Sequence, residues 1–117
     1  MFKVIIAGGR DFTDYNLLVS SMDFYLSDVK EEIEVVCGEA RGADSLGKRY
    51  ALEKGYSVKS FPANWNKYGK PAGFIRNKEM AEYADAVVCF WDGVSRGTAN
   101  MVNLAKEYSL PLRIKRY

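Results

Sequence analysis

Residues 86–98 read Ala-Val-Val-Cys-Phe-Trp-Asp-Gly-Val-Ser-Arg-Gly-Thr. An unbroken apolar run, Ala86 to Trp91, ends in a polar turn with glycines at 93 and 97. A strand reads this way when helices cover both of its faces, as in a parallel sheet. The next segment is helical in period: Met101, Val102, Ala105 and Tyr108 share one face of a helix over 98–108. Strand, glycine turn and helix therefore form a unit, and the same order recurs upstream without any repeat of the sequence itself.

Lys3–Ala7 (KVIIA) runs into Gly8-Gly9-Arg10-Asp11-Phe12, then into a helix over 15–28. Thr13 is its expected N-cap, and Leu18, Met22, Tyr25 and Val29 its inward face. Ile33–Cys37 (IEVVC) runs into Gly38-Glu39-Ala40-Arg41-Gly42-Ala43-Asp44 and a helix over 43–54, with Leu46, Tyr50 and Ala51 inward and Gly55 as its stop. A weaker strand, Tyr56–Phe61, leads into a long loop over 62–70. Pro71 suits the first turn of a helix presenting Ile75, Met80 and Tyr83 inward, and Leu110–Arg116 supplies a final strand. This alternation predicts one α/β domain over 1–117, a doubly wound parallel sheet of about five strands with right-handed crossovers. Strand 86–91, the most apolar, is expected at the centre. The first and fourth strands are expected to flank the crevice where the strand order reverses.

Composition narrows the function. With 48% apolar and 14% aromatic residues the chain can bury a real core. A formal charge of +2 does not by itself imply a nucleic-acid partner. No apolar stretch approaches the ~20 residues needed to span a bilayer, and the strand-like start lacks signal-peptide anatomy, so a cytoplasmic protein is expected. Cys37 and Cys89 lie in apolar runs without a CxxC pair, which reads as buried free thiols. The chain has no histidine, which excludes a Ser-His-Asp triad, a Cys-His pair and histidine-ligated zinc.

The turns carry the chemistry. Gly8, Gly9, Gly38, Gly42, Gly93 and Gly97 would let a ligand approach the backbone. Arg10, Arg41, Arg76 and Arg96 would supply positive charge, and backbone N–H groups at helix starts would face a phosphate. Asp44 falls in the first turn of its helix, where a carboxylate complements the helix dipole, and it is also a candidate ligand-binding residue. Thr98 adds a hydroxyl, Asn77 an amide, and Trp65 a ring that could stack on a base or lid the core. Neither GxGxxG nor GK[ST] is present. Asp11, Glu39 and Asp92 follow strands and are the candidate catalytic carboxylates. They could serve as acid and base or gather around Mg²⁺, although such residues more often hold loop N–H groups or pair with nearby arginines. No other metal site is expected.

Taken together, these turns resemble the SLOG superfamily. GGRDF (8–12), GEARGAD (38–44), the PANWNKYGKPAGFIRNKEM stretch (62–80) and the Gly93–Thr98 turn are similar to its YspA-like branch. That branch is related to the LOG phosphoribohydrolases and to the Rossmann-like domain of DprA. The resemblance implies a Rossmann-like three-layer αβα sandwich holding a nucleotide-derived small molecule such as AMP, ADP-ribose or an NAD fragment. It puts Gly9, Arg10, Arg41, Arg76, Asn77, Gly97 and Thr98 around that ligand. LOG enzymes carry a catalytic glutamate after the Gly-Thr turn, in PGGxGTxxE; here Ala99, Asn100 and Met101 follow Thr98 and no carboxylate stands there. Three readings result: a nucleotide-binding or sensing module, a hydrolase of an N-glycosidic or phosphate bond, and, less favoured, a single-stranded DNA binder like DprA. A neighbouring copy could complete the shallow crevice of so small a domain, so a homo-oligomer is expected.

Overall fold

A computed structural model describes residues 1–117. In chain order the elements are β1 (Phe2–Gly8), α1 (Tyr15–Tyr25), β2 (Ile33–Cys37), α2 (Ala43–Lys54), β3 (Ser57–Ser60), α3 (Trp65–Tyr68), α4 (Ala72–Tyr83), β4 (Ala86–Trp91), α5 (Arg96–Glu107) and β5 (Leu112–Arg116). The five strands form one sheet in the order β3-β2-β1-β4-β5, every pair parallel. No helix is long and apolar enough to cross a membrane.

The apolar runs fix this order by burial. Val4, Ile5 and Ile6 of β1 and Val87 to Phe90 of β4 are all buried, because helices cover both faces of these strands. Val4, Ile6, Val88 and Phe90 pack with Leu18 and Met22 of α1 and Tyr50 and Ala51 of α2. Ile5, Ala7, Val87 and Cys89 point the other way, onto Met80 of α4 and Met101, Val102 and Ala105 of α5. The period of two along each strand thus feeds two cores, which gives the three-layer αβα sandwich. Helix α2 lies close on β1: a Cβ added at Gly47 would come within 2.8 Å of Ile6.

Several local expectations are corrected. The middle strand is β1, with the more apolar β4 beside it. Asp14, not Thr13, caps α1, its carboxylate accepting the Leu17 N–H at 3.0 Å. That helix ends at Tyr25, and Val29 packs on the core from the turn beyond it. The 62–70 loop contains the short helix α3, whose N-cap Asn64 accepts the Lys67 N–H at 3.0 Å. Helix α5 starts at Arg96, two residues before Thr98, because the Asp92 carboxylate takes the Val94 and Ser95 N–H groups and turns the chain early. On α4 the fully inward side chains are Ala72, Asn77, Met80 and Ala81, while Ile75 and Tyr83 are half-buried.

Candidate functional site

The strand order reverses between β1 and β4, which lie side by side. After β1 the chain leaves for the face covered by α1 and α2; after β4 it leaves for the face covered by α5. The two exits part the loops and open a crevice of about 480 Å³ at the carboxyl ends of the strands. Its lining draws on all four turns: Gly8, Gly9, Arg10 and Asp11; Ala40 and Asp44; Trp65, Phe74, Arg76 and Asn77; Asp92, Ser95, Gly97 and Thr98. A smaller space of about 200 Å³ adjoins it, shares Arg10, Ala40, Trp65 and Arg76, and adds Glu39 and Arg41. Gly38, Gly42, Gly93 and Arg96 line neither.

Most glycines of the turns serve a different purpose from the one their sequence suggests. The space of a side chain at Gly8 is taken by the Phe90 carbonyl, at Gly9 by the Tyr117 hydroxyl, at Gly38 by the Arg76 guanidinium, and at Gly93 by that of Arg116. Gly42, at φ +74°, is filled by the backbone of Gly9 and Arg10. These glycines let loop dock on loop. Gly97 differs: it lines the crevice and has no other group within 4 Å of the place a Cβ would take. The start of α2 is likewise engaged already, since Ala43 N–H donates to the Gly9 carbonyl at 3.2 Å. Helix α5 starts at the crevice with no side chain capping it.

Arg76 anchors the far wall. Its Nε donates to Asn77 Oδ1 at 3.0 Å, and an Nη donates to the Phe61 carbonyl at 3.4 Å. Asn77 Nδ2 donates in turn to Asn100 Oδ1 at 3.0 Å and to the Gly97 carbonyl at 3.3 Å. The asparagine at 100 therefore ties α4 to α5. Burial pulls the Arg76 pKa down, partly offset by nearby Asp44. Arg10, by contrast, is exposed and makes no ion pair. Thr98 is buried and bonds to Ser95 Oγ at 3.2 Å.

The three carboxylates singled out in the sequence are all engaged. Asp11 accepts the Tyr117 hydroxyl at 2.7 Å, and Glu39 pairs with Lys48 at 3.8 Å. Asp92 holds the Val94 and Ser95 N–H groups at 2.8 and 2.9 Å, which keeps its carboxyl below the usual range. No three acidic or cysteine residues converge into a group able to hold a metal ion, so a shared Mg²⁺ site built from these carboxylates is not formed. Cys37 and Cys89 are buried and free, both thiols pushed up by burial, Cys89 to about 12.

Asp44 was a ligand-binding candidate whose burial the sequence did not reveal. It is only 7% exposed yet lines the crevice. Its Oδ2 accepts the Ala40 N–H at a long 3.3 Å, and no side chain donates to it. Burial pushes its carboxyl up to about 6, against the pull of Arg76 and the local N–H groups. The available signal was its place two residues after Gly42, at a helix start beneath a strand end. Phe74, half exposed at the rim with Trp65, was missed; it lies between Gly73 and Ile75 at the start of α4, where a phenylalanine reads as core.

A crevice at the switch point of a doubly wound parallel sheet defines a Rossmann-like α/β domain. More specifically, the chain belongs to the YspA, cpYpsA-related SLOG family, whose sequence model matches residues 2–68. It is 32% identical over 118 residues to the Gene 61 protein of Mycobacterium phage D29, covering 96% of this chain and 94% of that one. Among solved structures, the fold is similar to DNA processing protein A (DprA) from Streptococcus pneumoniae, with a TM-score of 0.77 at 17% identity, over 97% of this chain and half of DprA (50%). It is also similar to the protein TM1055, with a TM-score of 0.69 at 21% identity, over 96% of this chain and 72% of that one. At these identities the two structures show the fold.

Proposed function

We propose that the crevice binds a nucleotide-derived small molecule, with AMP, ADP-ribose and NAD fragments as the first ligands to test. The observation that supports this most is the conjunction, in one crevice, of Arg10, Arg76 and the open backbone of Gly97 at the start of α5. Helix starts and guanidinium groups both favour phosphate. Trp65 is 51% exposed at the rim and offers a ring face to a base. The volume of about 480 Å³ falls in the ordinary range for small-molecule sites.

Calorimetry and thermal-shift measurements with these ligands test the reading. The exposed Arg10 side chain has no ion pair to lose, so Arg10→Ala should fold normally. It should weaken binding by ~10–100-fold, the worth of a charge-assisted hydrogen bond. Absence of binding by every ligand, or unchanged affinity in Arg10→Ala and Arg76→Lys, would reject the reading. Cleavage of an N-glycosidic or phosphate bond has less support, because Asp11, Glu39 and Asp92 are committed to other bonds. Release of free base from nucleoside monophosphates or NAD would reinstate it. Single-stranded DNA binding would show instead as an affinity falling steeply with salt.

A further inference from the structure

Asp44 has no task in the binding scheme above, and its surroundings are unusual for a carboxyl group. A carboxylate is ordinarily kept charged by water or by a paired cation. Asp44 is only 7% exposed and lies outside every ion pair. The groups around it come from every neighbouring element: Arg10 from the β1 turn, Arg76 from α4, Cys37 at the end of β2 and Cys89 in β4. Asp11, Asp92 and Lys70 stand elsewhere around the same crevice.

This arrangement matters once a phosphate enters. An anion drawn to Arg10 and Arg76 arrives in the crevice that Asp44 lines. Two bare anions side by side in a partly buried site repel each other. A proton held between them removes the repulsion and gives a short, strong O–H···O⁻ hydrogen bond. The carboxyl can carry that proton, since it accepts only from backbone N–H groups and no side chain donates to it.

We propose that Asp44, in its protonated form, donates a hydrogen bond to a phosphate oxygen, so that the site takes up its anion together with one proton from solvent. The balance is simple: the carboxylate gains H⁺ from water as the ligand binds, and no covalent bond to the ligand changes. This rests on the proposed nucleotide site and adds to it a residue and a proton count. The chain lacks histidine, the side chain that ordinarily titrates near neutrality, so the uptake has little background.

The test is calorimetry of the wild-type protein at pH 5 and pH 7, each in two buffers of different ionisation enthalpy. ADP-ribose is the first probe, because its pyrophosphate does not titrate in this range. AMP is the second, with the Asp44→Asn protein correcting for the titration of its phosphate. The expected result is uptake of close to one proton per site at pH 7 and a small fraction at pH 5. Asp44→Asn should abolish the uptake and bind about tenfold more tightly than wild type at pH 7, since tenfold corresponds to one pH unit of linkage. Binding without proton uptake in the wild type overturns this proposal and leaves the nucleotide site standing. Failure of both probes to bind at either pH overturns both.

Discussion

Replacing Asp44 by asparagine should stabilise the free protein at alkaline pH. The carboxyl rises from an ordinary 3.8 to about 6 on folding, chiefly through burial. A folded-state pKa above the unfolded value means that the fold prefers the protonated acid. The stability this group contributes is therefore fully present below pH 3.8 and is lost as the pH rises through about 6. At about 1.36 kcal/mol per unit, the shift is worth about 3 kcal/mol at pH 8. Asparagine keeps the shape and can still accept the Ala40 N–H, but it has no charge to bury. Urea denaturation of both proteins at pH 4 and pH 8 isolates the effect, because the other carboxylates are common to the two. The difference should be small at pH 4 and favour Asp44→Asn by up to about 3 kcal/mol at pH 8, or about 10 °C in Tm for a domain of this size. A variant less stable than wild type at pH 8 would refute the reasoning, since it would show the ionised carboxylate to be held by bonds stronger than its burial cost.

Two glycine substitutions should behave in opposite ways. Gly42→Ala forces a side chain into the backbone of Gly9 and Arg10 at a positive φ, so it should cost at least about 1–3 kcal/mol in a denaturant melt. Gly97→Ala meets open space within a helix, so it should leave stability equal or raised by about 0.5–1 kcal/mol, while weakening nucleotide binding measured by calorimetry. Tyr50→Phe removes the 2.7 Å hydrogen bond to Asp23 and should cost about 1 kcal/mol at neutral pH. The Asp23 carboxyl is held below its ordinary value, first by that hydroxyl, so its contribution is present above pH 3.8 and lost as the pH falls through the lowered value; in the variant, NMR titration should place it closer to normal. Neither Cys37 nor Cys89 should react with a thiol reagent until the protein unfolds, when both should.

The fold was legible because burial on both faces leaves a plain mark. Runs such as IEVVC and AVVCFW hold almost no polar residue, and the helices between them supply the 3.6-residue period. What the sequence blurred were the ends, where side chains compete for the same backbone groups. Thr13 and Asp14 both suit an N-cap, and only the geometry of the turn selects Asp14. The Asp92 carboxylate moves the start of α5 forward by capturing two N–H groups, a contact invisible in a residue pattern. The site was legible as a set of turns but not as a set of roles. Arg41 and Arg76 look equivalent in sequence, yet one is exposed beside the smaller space while the other is half-buried and bonded to Asn77 and the Phe61 carbonyl.

The glycines explain why these roles depend on one another. Arg76 lies where a side chain at Gly38 would be, and Gly9 and Arg10 lie where one at Gly42 would be. The two arginines of the crevice are thus positioned by the absent side chains of a third loop, the one between β2 and α2. Ala43 N–H then locks the β1 turn by donating to the Gly9 carbonyl at 3.2 Å, and Gly9 N–H reaches across to the Phe90 carbonyl of β4 at the same distance. A side chain added in the β2–α2 loop would consequently shift guanidinium groups on two other elements. Its effect on binding would exceed anything its own distance from a ligand suggests, because the crevice is shaped by loop-to-loop packing more than by any single loop.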